Sequence, residues 1–278
     1  MTKKPLCIYH ANCADGFSAA WVFHMYAGVE FDFHPGVYQS KDLPDVLDRD
    51  VYLVDFSYKR EAVEAFILMA NSVTLIDHHK SALEDLKTLI DSNTIKHHCA
   101  LDKSGATLAF EFLRGSRQNM PKLLAHVEDR DLWRFALAKT REIQACVFSY
   151  PYDFDTWTTL MLETDPDDLA TEGAAIERKH FKDVEELIRV TQRDMVIGGY
   201  QVPVANMPYT MSSDAGHIMS KGYPFAACYW DTPTGRVFSL RSAPDGADVS
   251  AIAVSYGGGG HKHAAGFSVP KDHPLAVA

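Results

Sequence analysis

Three short apolar runs in the first part of the chain each end in a side chain that can bind a metal ion. The runs cover residues 6–9, 51–54 and 73–76, and His10, Asp55 and Asp77 follow them. Longer stretches with helical spacing separate the runs, which is typical of a parallel sheet covered by helices. Ligands of such sheets bind beyond the carboxyl ends of the strands. The first half of the chain therefore predicts an α/β domain with a binding site at this edge.

The spacing of the remaining apolar residues predicts the helices and a second domain. Crossover helices are expected at residues 17–26, 61–70 and 105–113, and Ser104 suits the N-cap of the third. Helical spacing extends over residues 156–194 until Gly198-Gly199 breaks it, and short strands are expected at residues 201–205, 225–230 and 237–240. We therefore predict two domains, residues 1–195 and 196–278, joined by a helical linker.

The charge balance restricts the class of partner. The chain has 27 Lys and Arg residues against 37 Asp and Glu residues, a formal net charge of −10. This balance argues against a protein that coats duplex DNA by neutralising many phosphates, although a local basic site stays compatible with it. Carboxylates gathered to hold divalent cations would give such an excess, and so would a solvated acidic surface. No stretch reaches the roughly 20 apolar residues of a membrane span, so no membrane partner is expected.

The cysteines indicate a reducing compartment. The five cysteines stand at positions 7, 13, 99, 146 and 228, without a CxxC spacing. This pattern predicts neither a disulfide framework nor a zinc ribbon. The first apolar run is short and His10 interrupts it, so no secretion signal is expected. We therefore expect a cytoplasmic protein.

The third apolar run is followed at once by one carboxylate and two imidazoles, Asp77-His78-His79. Oxygen and nitrogen ligands of this kind suit Mn²⁺, Fe²⁺ or Zn²⁺. The ends of the neighbouring runs add His10, Asp15 and Asp55, which are enough for two ions that share a bridging carboxylate. Two adjacent ions can activate water and stabilise an in-line displacement at phosphorus. The pattern favours a two-metal phosphoesterase, with Asp55 as the bridging ligand.

Two later segments are candidates for further functional groups. The segment Glu128-Asp129-Arg130-Asp131 offers one more carboxylate ligand, or else a helix surface with internal ion pairs. Near the end of the chain, four glycines precede His261, so the backbone could approach a phosphate closely. Arg241 could bind a phosphate bidentately, with His261 as a second contact.

Taken together, these motifs resemble the DHH/DHHA1 phosphoesterase superfamily over nearly the whole chain. The segments that carry the resemblance are residues 10–16 (HANCADG), 54–57 (VDFS), 77–79 (DHH), the acidic segment at 128–131, Arg241-Ser242, residues 248–250 (DVS) and residues 257–266. The resemblance implies a parallel-sheet DHH domain with helices on both faces, joined by a helical linker to a smaller α/β DHHA1 domain. It also implies a two-ion centre, usually manganese, with Mg²⁺, Fe²⁺ or Zn²⁺ as alternatives, and hydrolysis of phosphoester bonds.

The resemblance also implies roles for individual residues. His79 would face the scissile phosphate, and Asp77 would orient a histidine or bind a metal-bound water, the outer-shell role that sets the direction of an imidazole. The implied metal ligands are His10 and Asp55 for one ion and Asp15, Asp55, His78 and Asp129 for the other. Cys13, at a position that departs from the family, is a further candidate ligand. Asp129 matches the position in the family best, and Asp131 is the alternative. The residues implied to hold the substrate phosphate are Arg241, Ser242, Gly259, Gly260 and His261.

One position departs from the family. The first motif of the family commonly has two aspartates separated by one residue, and here Cys13-Ala14-Asp15 stands in that place. A thiolate at position 13 could ligate a softer ion, or Asn12 could contribute its carbonyl oxygen, and the first ion site should then bind Mg²⁺ less well. Alternatively, Cys13 is a buried, inert thiol.

The leading hypothesis is a hydrolase that acts on a small nucleotide or a short oligonucleotide. A polyphosphatase or single-strand exonuclease activity stays open. From another class, the chain could be a nucleotide-binding regulatory protein with weak turnover because of the altered first motif, and a zinc-stabilised structural domain is a third hypothesis. A homodimer is left open.

Overall fold

The computed structural model describes residues 3–40 and 43–277, which form two compact units, one up to Glu177 and one from Arg178 onwards. The two units have separate sheets and separate apolar cores. The α/β class and the smaller second unit agree with the predicted fold. The division falls inside a long helix, whereas the predicted boundary after residue 195 falls inside the first strand of the second sheet.

The first unit is built on a five-stranded parallel sheet with the order β2-β1-β3-β4-β5. Its strands are β1 (Leu6–His10), β2 (Asp32–Gly36), β3 (Asp50–Val54), β4 (Ser72–Ile76) and β5 (Lys96–His97). The three predicted runs are confirmed as β1, β3 and β4. They form the centre of the sheet, where both faces are buried and a continuous apolar run is expected.

Eight helices of the described residues accompany this sheet: α1 (Ala14–Tyr26), α2 (Arg60–Met69), α3 (Lys80–Asp85), α4 (Lys87–Asp91), α5 (Gly105–Arg114), α6 (Lys122–Asp131), α7 (Thr140–Val147) and α8 (Phe154–Leu162). A long helix, α9 (Pro166–Thr191), begins in the first unit and ends in the second. Alternate strand residues face opposite cores. Cys7 and Val54 pack with α1 and α5 on one face, while Ile8 and Leu53 pack with α2 on the other. Helices therefore cover both faces, as predicted.

The second unit contains a six-stranded mixed sheet with the order β10-β11-β9-β8-β7-β6. Its elements are β6 (Arg193–Ile197), β7 (Tyr200–Asn206), α10 (Ser212–Met219), β8 (Ala226–Asp231), β9 (Gly235–Arg241), α11 (Val249–Ser255), β10 (Gly259–His261), β11 (Ala264–Pro270) and α12 (Pro274–Val277). Gly198 and Gly199 both have positive φ, 59° and 85°, and form the turn between β6 and β7. The break in helical spacing at these glycines is therefore a hairpin turn.

Among the helices of residues 3–40 and 43–277, none combines the length and the apolar character needed to cross a bilayer.

Candidate functional site

The polar residues that end the central strands lie at one edge of the first sheet. His10 is the last residue of β1, and Asp55 and Asp77 directly follow β3 and β4. Because these strands are parallel neighbours in register, their carboxyl ends coincide. The structure thus brings together the three side chains that the apolar runs predicted.

Asp55 lies at the centre of this edge. Its Oδ1 is 3.0 Å from Nε2 of His78 and 3.9 Å from Nδ1 of His79, and its Oδ2 is 3.7 Å from Nδ1 of His10. The backbone of Asp55 has a φ of 54°, a left-handed conformation that costs energy for a residue with a side chain. The turn after β3 therefore holds the carboxylate among three imidazoles, where a bridging ligand would lie.

Asp15 reaches the same place from the first turn of α1. Its two oxygens accept hydrogen bonds from the backbone amides of Gly105, at 2.6 Å, and Ala106, at 3.0 Å, which begin α5. The positive end of this helix favours a carboxylate. The Oδ2 atom of Asp15 is also 3.7 Å from Nε2 of His78.

Two glycines that the sequence reasoning did not single out make this approach possible. A Cβ atom on Gly105 would lie 2.3 Å from Cβ of Asp55, and one on Gly16 would lie 2.3 Å from the carbonyl oxygen of His10. Any larger residue would push the helix starts away from the strand ends. Gly16 stands inside the first motif, so its position was a signal, but nothing in the sequence marked Gly105 as more than a helix residue.

Asp77 organises the Asp77-His78-His79 segment. Its Oδ1 accepts hydrogen bonds from the backbone amides of His78, at 2.7 Å, and His79, at 3.1 Å, and it lies 2.7 Å from Nδ1 of His79. A carboxylate in this position favours the proton on Nδ1 of His79 and leaves Nε2 for a ligand or a substrate. The contact that the predicted orienting role of Asp77 requires is therefore present.

The structure favours Asp131 over Asp129 as the last carboxylate of the cluster. Oδ2 of Asp131 lies 3.6 Å from Nε2 of His78. The carboxylate of Asp129 points elsewhere and accepts hydrogen bonds from the amides of Ala136 and Leu137 and the hydroxyl of Thr140, at 2.8, 3.0 and 2.7 Å. We therefore replace Asp129 by Asp131 in the candidate ligand set, because the oxygens of Asp129 are already used to shape the loop after α6.

The pKa values show how strongly the cluster favours positive charge. Burial raises the pKa of Asp15 well above its usual value, and the charges of Asp55 and Asp131 raise it further. Burial alone would lower the pKa of His78, yet its hydrogen bond to Asp55 and the surrounding carboxylates raise that pKa well above normal. For Asp55, burial is outweighed by its contacts with His10 and His78, and the pKa is lowered. A cation at this edge would be strongly stabilised.

The donor atoms fit divalent ions. Within residues 3–40 and 43–277, buried oxygens of Asp55, Asp77 and Asp131 have no hydrogen-bond partner, although such oxygens normally have one. Three overlapping sets bring their ligand atoms within 4.8 Å of one another: His10 with Cys13 and Asp55, Asp15 with Asp55 and His78, and Asp55 with Asp77 and His79. The oxygen and nitrogen donors suit Mn²⁺, Fe²⁺ or Zn²⁺, and the sulfur of Cys13 favours the softer of these ions.

An aromatic side chain that the sequence reasoning missed borders the cluster. The ring centroid of Tyr38 lies 5.2 Å from that of His10 and 6.1 Å from that of His79, and it packs at 4.8 Å on Phe56. Phe56 is fully buried, whereas Tyr38 is partly exposed. Tyr38 therefore offers an aromatic face and a hydroxyl beside the two histidines.

In the second unit, the structure places Arg241 and His261 in one row across the sheet. His261 on β10 pairs with Ala264 on β11, which pairs with Arg241 on β9. Residues directly opposite one another in antiparallel strands project to the same face. Because neighbouring strands lie about 4.8 Å apart, the Cα atoms of Arg241 and His261 should be about 10 Å apart, a separation that two side chains can bridge through one phosphate.

Hydrogen bonds of Arg241 and of the neighbouring predicted residue Ser242 hold this row in place. Arg241 donates to the hydroxyls of Ser239 and Ser213 at 3.1 and 2.7 Å. Ser242 donates its hydroxyl to the carbonyl oxygen of Ala247 at 2.8 Å and lies 2.9 Å from Nδ1 of His263. These contacts hold the end of β9 beside the turn between β10 and β11.

The second half of the glycine run forms strand rather than open loop. Gly259 and Gly260 belong to β10, the edge strand of the sheet, and Gly260 has a φ of 139°. A Cβ atom on Gly258 would lie 2.1 Å from the carbonyl oxygen of Gly266, and one on Gly260 would lie 2.6 Å from that of Ala264. Glycine is therefore needed here for the close pairing of β10 and β11.

Comparisons with known proteins give one sequence relative and a set of structural neighbours. No profile of a known protein family matches the chain. Uncharacterized protein R106 of Acanthamoeba polyphaga mimivirus is 30% identical over an alignment 288 positions long, gaps included, which covers 94% of this chain and 66% of the viral protein. The chain thus spans slightly less than two thirds of the length of this relative.

Among solved structures, a DHH-domain protein described as a member of a family of ribosomal proteins has a TM-score of 0.61 at 12% identity, over 99% of this chain and 85% of that chain. A pGpG-specific phosphodiesterase from Vibrio cholerae aligns with a TM-score of 0.47 at 14% identity, over 99% of this chain and 96% of its own. Because the sequence identity is only 12%, the similarity to the DHH-domain protein is evidence for the fold of this chain and for nothing further. The chain therefore has the DHH-domain fold.

Proposed function

We propose that the chain is a metal-dependent phosphohydrolase that cleaves phosphoester bonds of small nucleotides or short oligonucleotides. The observation that carries the proposal is the cluster at the carboxyl edge of the first sheet. There, Asp15, Asp55 and His78 bring their ligand atoms within 4.8 Å of one another, with Asp131 beside them. Two divalent ions are the implied cofactors, with Mn²⁺ as the first choice.

The residues that would hold the ions fall into two groups that share Asp55. His10 and Asp55 lie on one side, and Asp15, Asp55, His78 and Asp131 lie on the other. Bound divalent ions supply Lewis-acid chemistry, since they activate water as a nucleophile and stabilise charge on phosphate oxygens. The amides that begin α5 and the turn after β3 keep the carboxylates in position, so little rearrangement is needed on binding.

His79 is the proposed catalytic side chain that contacts the phosphate. Asp77 engages Nδ1 at 2.7 Å, so the opposite nitrogen, Nε2, is directed at the substrate. When Nε2 also carries a proton, it would donate a hydrogen bond to a phosphate oxygen or deliver that proton to the leaving oxygen. Asp77 acts through His79 by fixing its tautomer and direction. Tyr38, which borders both histidines, would contact the same substrate with its ring or hydroxyl.

The second unit would bind a phosphate that is not cleaved. Arg241 can engage two oxygens of one phosphate, and His261 projects to the same face of the sheet. Ser242, Gly259 and Gly260 would shape this anion site. The net charge of −10 favours a short substrate over a long polyanion, since a long polyanion requires an extended basic track.

A turnover screen tests the proposal. The protein, stripped with a chelator and then loaded with Mn²⁺, Mg²⁺ or Zn²⁺, is incubated with a linear dinucleotide, a cyclic dinucleotide, a 3′,5′-bisphosphate nucleotide, single-stranded DNA and inorganic polyphosphate, and products are separated by chromatography. We expect turnover of a nucleotide substrate that the chelator abolishes and divalent ions restore. If the protein cleaved only polyphosphate or only single-stranded DNA, the substrate class that we propose would be wrong.

Matched histidine variants distinguish catalysis from a structural metal. We expect His79→Ala to lower kcat by about 10²–10⁴-fold with an unchanged melting temperature. His97→Ala, at an exposed position in β5, should change neither quantity.

Other results would favour the alternative hypotheses. If the protein binds nucleotides but releases no product with any substrate or ion, it is better described as a regulatory protein with weak turnover, as the altered first motif would explain. Loss of thermal stability on chelation, with no effect of His79→Ala on function, would favour the structural zinc domain.

A further inference from the structure

One corner of the strand-end cluster contains three donors of three different kinds. The ring of His10, the thiol of Cys13 and the carboxylate of Asp55 have ligand atoms that all lie within 4.8 Å of one another. They come from the end of β1, the residue before α1 and the turn after β3. Each donor is placed by a different element, so the rigid edge of the sheet determines their spacing.

The thiol of Cys13 contributes little to capping the helix that it precedes, since only the amide of Gly16 interacts with it. Cys13 is the N-cap residue of α1, with φ and ψ of −128° and 132°, and its side chain makes no capping hydrogen bond. Serine, threonine, aspartate and asparagine are the usual residues at this position because they accept such a bond. The presence of a half-buried thiol here is therefore not explained by helix formation.

A second observation points to a ligand at the same corner. Oδ2 of Asp55 is buried and has no hydrogen-bond partner among the residues that the structure describes. It lies 3.7 Å from Nδ1 of His10, too far for a hydrogen bond between them. A buried carboxylate oxygen without a donor is costly, and an ion held by these three groups would satisfy it.

This corner differs in chemistry from the other side of Asp55. The other side offers Asp15, His78 and Asp131, which are three donors of oxygen or nitrogen. Carboxylates suit Mg²⁺ and Mn²⁺, whereas thiolate ligands select softer ions such as Zn²⁺. The three donors at the corner leave a fourth position of a tetrahedral Zn²⁺ for water or substrate.

We propose that His10, Cys13 and Asp55 form a thiolate-containing ion site that selects a thiophilic divalent ion, Zn²⁺ in the first place, over Mg²⁺ and Mn²⁺. The two ion positions that share Asp55 would then bind different metals. This inference deepens the proposed function and rests on it for the second ion, but thiolate ligation can be measured without turnover.

Cobalt(II) is the probe, because it replaces Zn²⁺ and gives a thiolate-to-metal charge-transfer absorption in the near ultraviolet. Titration of the chelator-stripped protein with Co²⁺ should produce this absorption. Cys13→Ser and Cys13→Asp should both abolish it. Cys146→Ser, which changes a buried cysteine beside Glu172, should retain it.

Competition measures the selectivity. Protein equilibrated with equal concentrations of Zn²⁺ and Mn²⁺ is separated from free ions and its metal content is measured. The comparison with Cys13→Asp is decisive: this variant should lower the ratio of bound Zn²⁺ to Mn²⁺, because a carboxylate suits Mn²⁺ better than a thiolate does. If a Cys13 variant fails to fold, alkylation of the wild type is decisive, because a bound ion should protect Cys13 from modification and its removal should expose the thiol.

The outcomes separate the two proposals. Cobalt binding without charge-transfer absorption, together with alkylation of Cys13 that is equally fast with and without the ion, would overturn the thiolate site and leave the phosphohydrolase intact. Charge-transfer absorption that depends on Cys13, in a protein that cleaves none of the substrates, would keep the thiolate site and overturn the hydrolase.

Discussion

The two units gather opposite kinds of polar side chain. At the edge of the first sheet, carboxylates and imidazoles surround Asp55, and the pKa of His78 is raised because positive charge is favoured there. In the second sheet, the corresponding row contains Arg241 and His261, whose charge and hydrogen-bond donors suit an anion. The groups of the first cluster thus suit cations, and those of the second row suit an anion such as the phosphate that we propose.

The glycines of the two units show the same division. Gly16 and Gly105 let helix starts approach the strand ends of the first unit, so that side chains meet. Gly258 and Gly260 let two strands of the second unit approach, so that backbone meets backbone. Changes in the first unit should therefore act on ion binding and kcat, whereas changes in the second should act on KM.

The largest effect is expected for Asp55→Asn, because Asp55 belongs to both proposed ion positions. Asparagine tolerates the left-handed backbone at this residue, so the turn should survive. We expect kcat to fall by about 10³-fold or more and less metal to remain bound in direct metal analysis. Asp50→Asn, at the opposite end of β3, is the matched control and should leave both unchanged. If Asp55→Asn bound as much metal as the wild type, Asp55 would not be a bridging ligand.

A paired experiment on α6 tests which carboxylate completes the cation cluster. Asp131→Asn should lower kcat by about 10²-fold and leave the free energy of unfolding nearly unchanged. Asp129→Asn should instead lower the free energy of unfolding by about 1–3 kcal/mol, since it disturbs the hydrogen bonds from Ala136, Leu137 and Thr140. Urea denaturation and steady-state kinetics measure both quantities. If Asp129→Asn lowered kcat and Asp131→Asn lowered the free energy of unfolding instead, Asp129 would be the ligand.

The effect of Asp129→Asn on the free energy of unfolding should also depend on pH. Burial raises the pKa of Asp129, but its hydrogen bonds with Thr140 and the loop amides outweigh burial and lower the pKa in the folded state. Its contribution to stability is therefore present above the pKa of about 3.9 in the unfolded chain and is lost as the pH falls toward the lower folded value. The stability difference between the wild type and Asp129→Asn should narrow below about pH 4.

This ambiguity on α6 shows where the sequence was informative and where it was not. The strands β1, β3 and β4 could be predicted because they are buried on both faces and therefore read as apolar runs. The edge strand β2 was missed, since its sequence, DFHPG, is polar and contains proline. Asp129 and Asp131 are about 200° apart around a helix, and the sequence alone does not reveal which side of α6 faces the strand ends.

Contacts between distant segments were also beyond the sequence. The first helix was predicted from residue 17, but it begins at Ala14, because Cys13 is an unusual N-cap that gave no start signal. Asp15 therefore lies in the first turn of a helix, with its oxygens on the amides that begin α5, ninety residues further along. Tyr38 borders the cluster through tertiary packing that no local pattern indicated.

In the second unit, Arg241→Gln should weaken substrate binding without affecting the ions. Loss of a charge-assisted contact worth about 1.5–3 kcal/mol corresponds to a rise in KM of about 10–100-fold. We expect kcat and metal content to stay near the wild-type values. Arg236→Gln is the control in the same strand: Arg236 pairs with Asp231, so this change should lower the melting temperature and leave KM unchanged. A fall in bound metal in Arg241→Gln would contradict the division between the two units.

The smallest effect is expected for Gly105→Ala, which adds one methyl group between α5 and Asp55. The new Cβ would lie 2.3 Å from Cβ of Asp55. Overpacking of this kind costs about 1–3 kcal/mol, so the free energy of unfolding should fall by roughly this amount. The displaced carboxylate should also lower the affinity for divalent ions by about 10-fold.

Gly115→Ala, at the other end of α5, is the matched control for this variant. Nothing lies within 4 Å of a Cβ atom placed there, and the cost comes only from the left-handed backbone with a φ of 73°. Gly115→Ala should therefore destabilise the protein by about 1 kcal/mol and leave ion affinity unchanged in calorimetric titration. Equal ion affinities in the two variants would mean that the cation cluster tolerates a shift of the start of α5, and that the close approach at Gly105 serves packing alone.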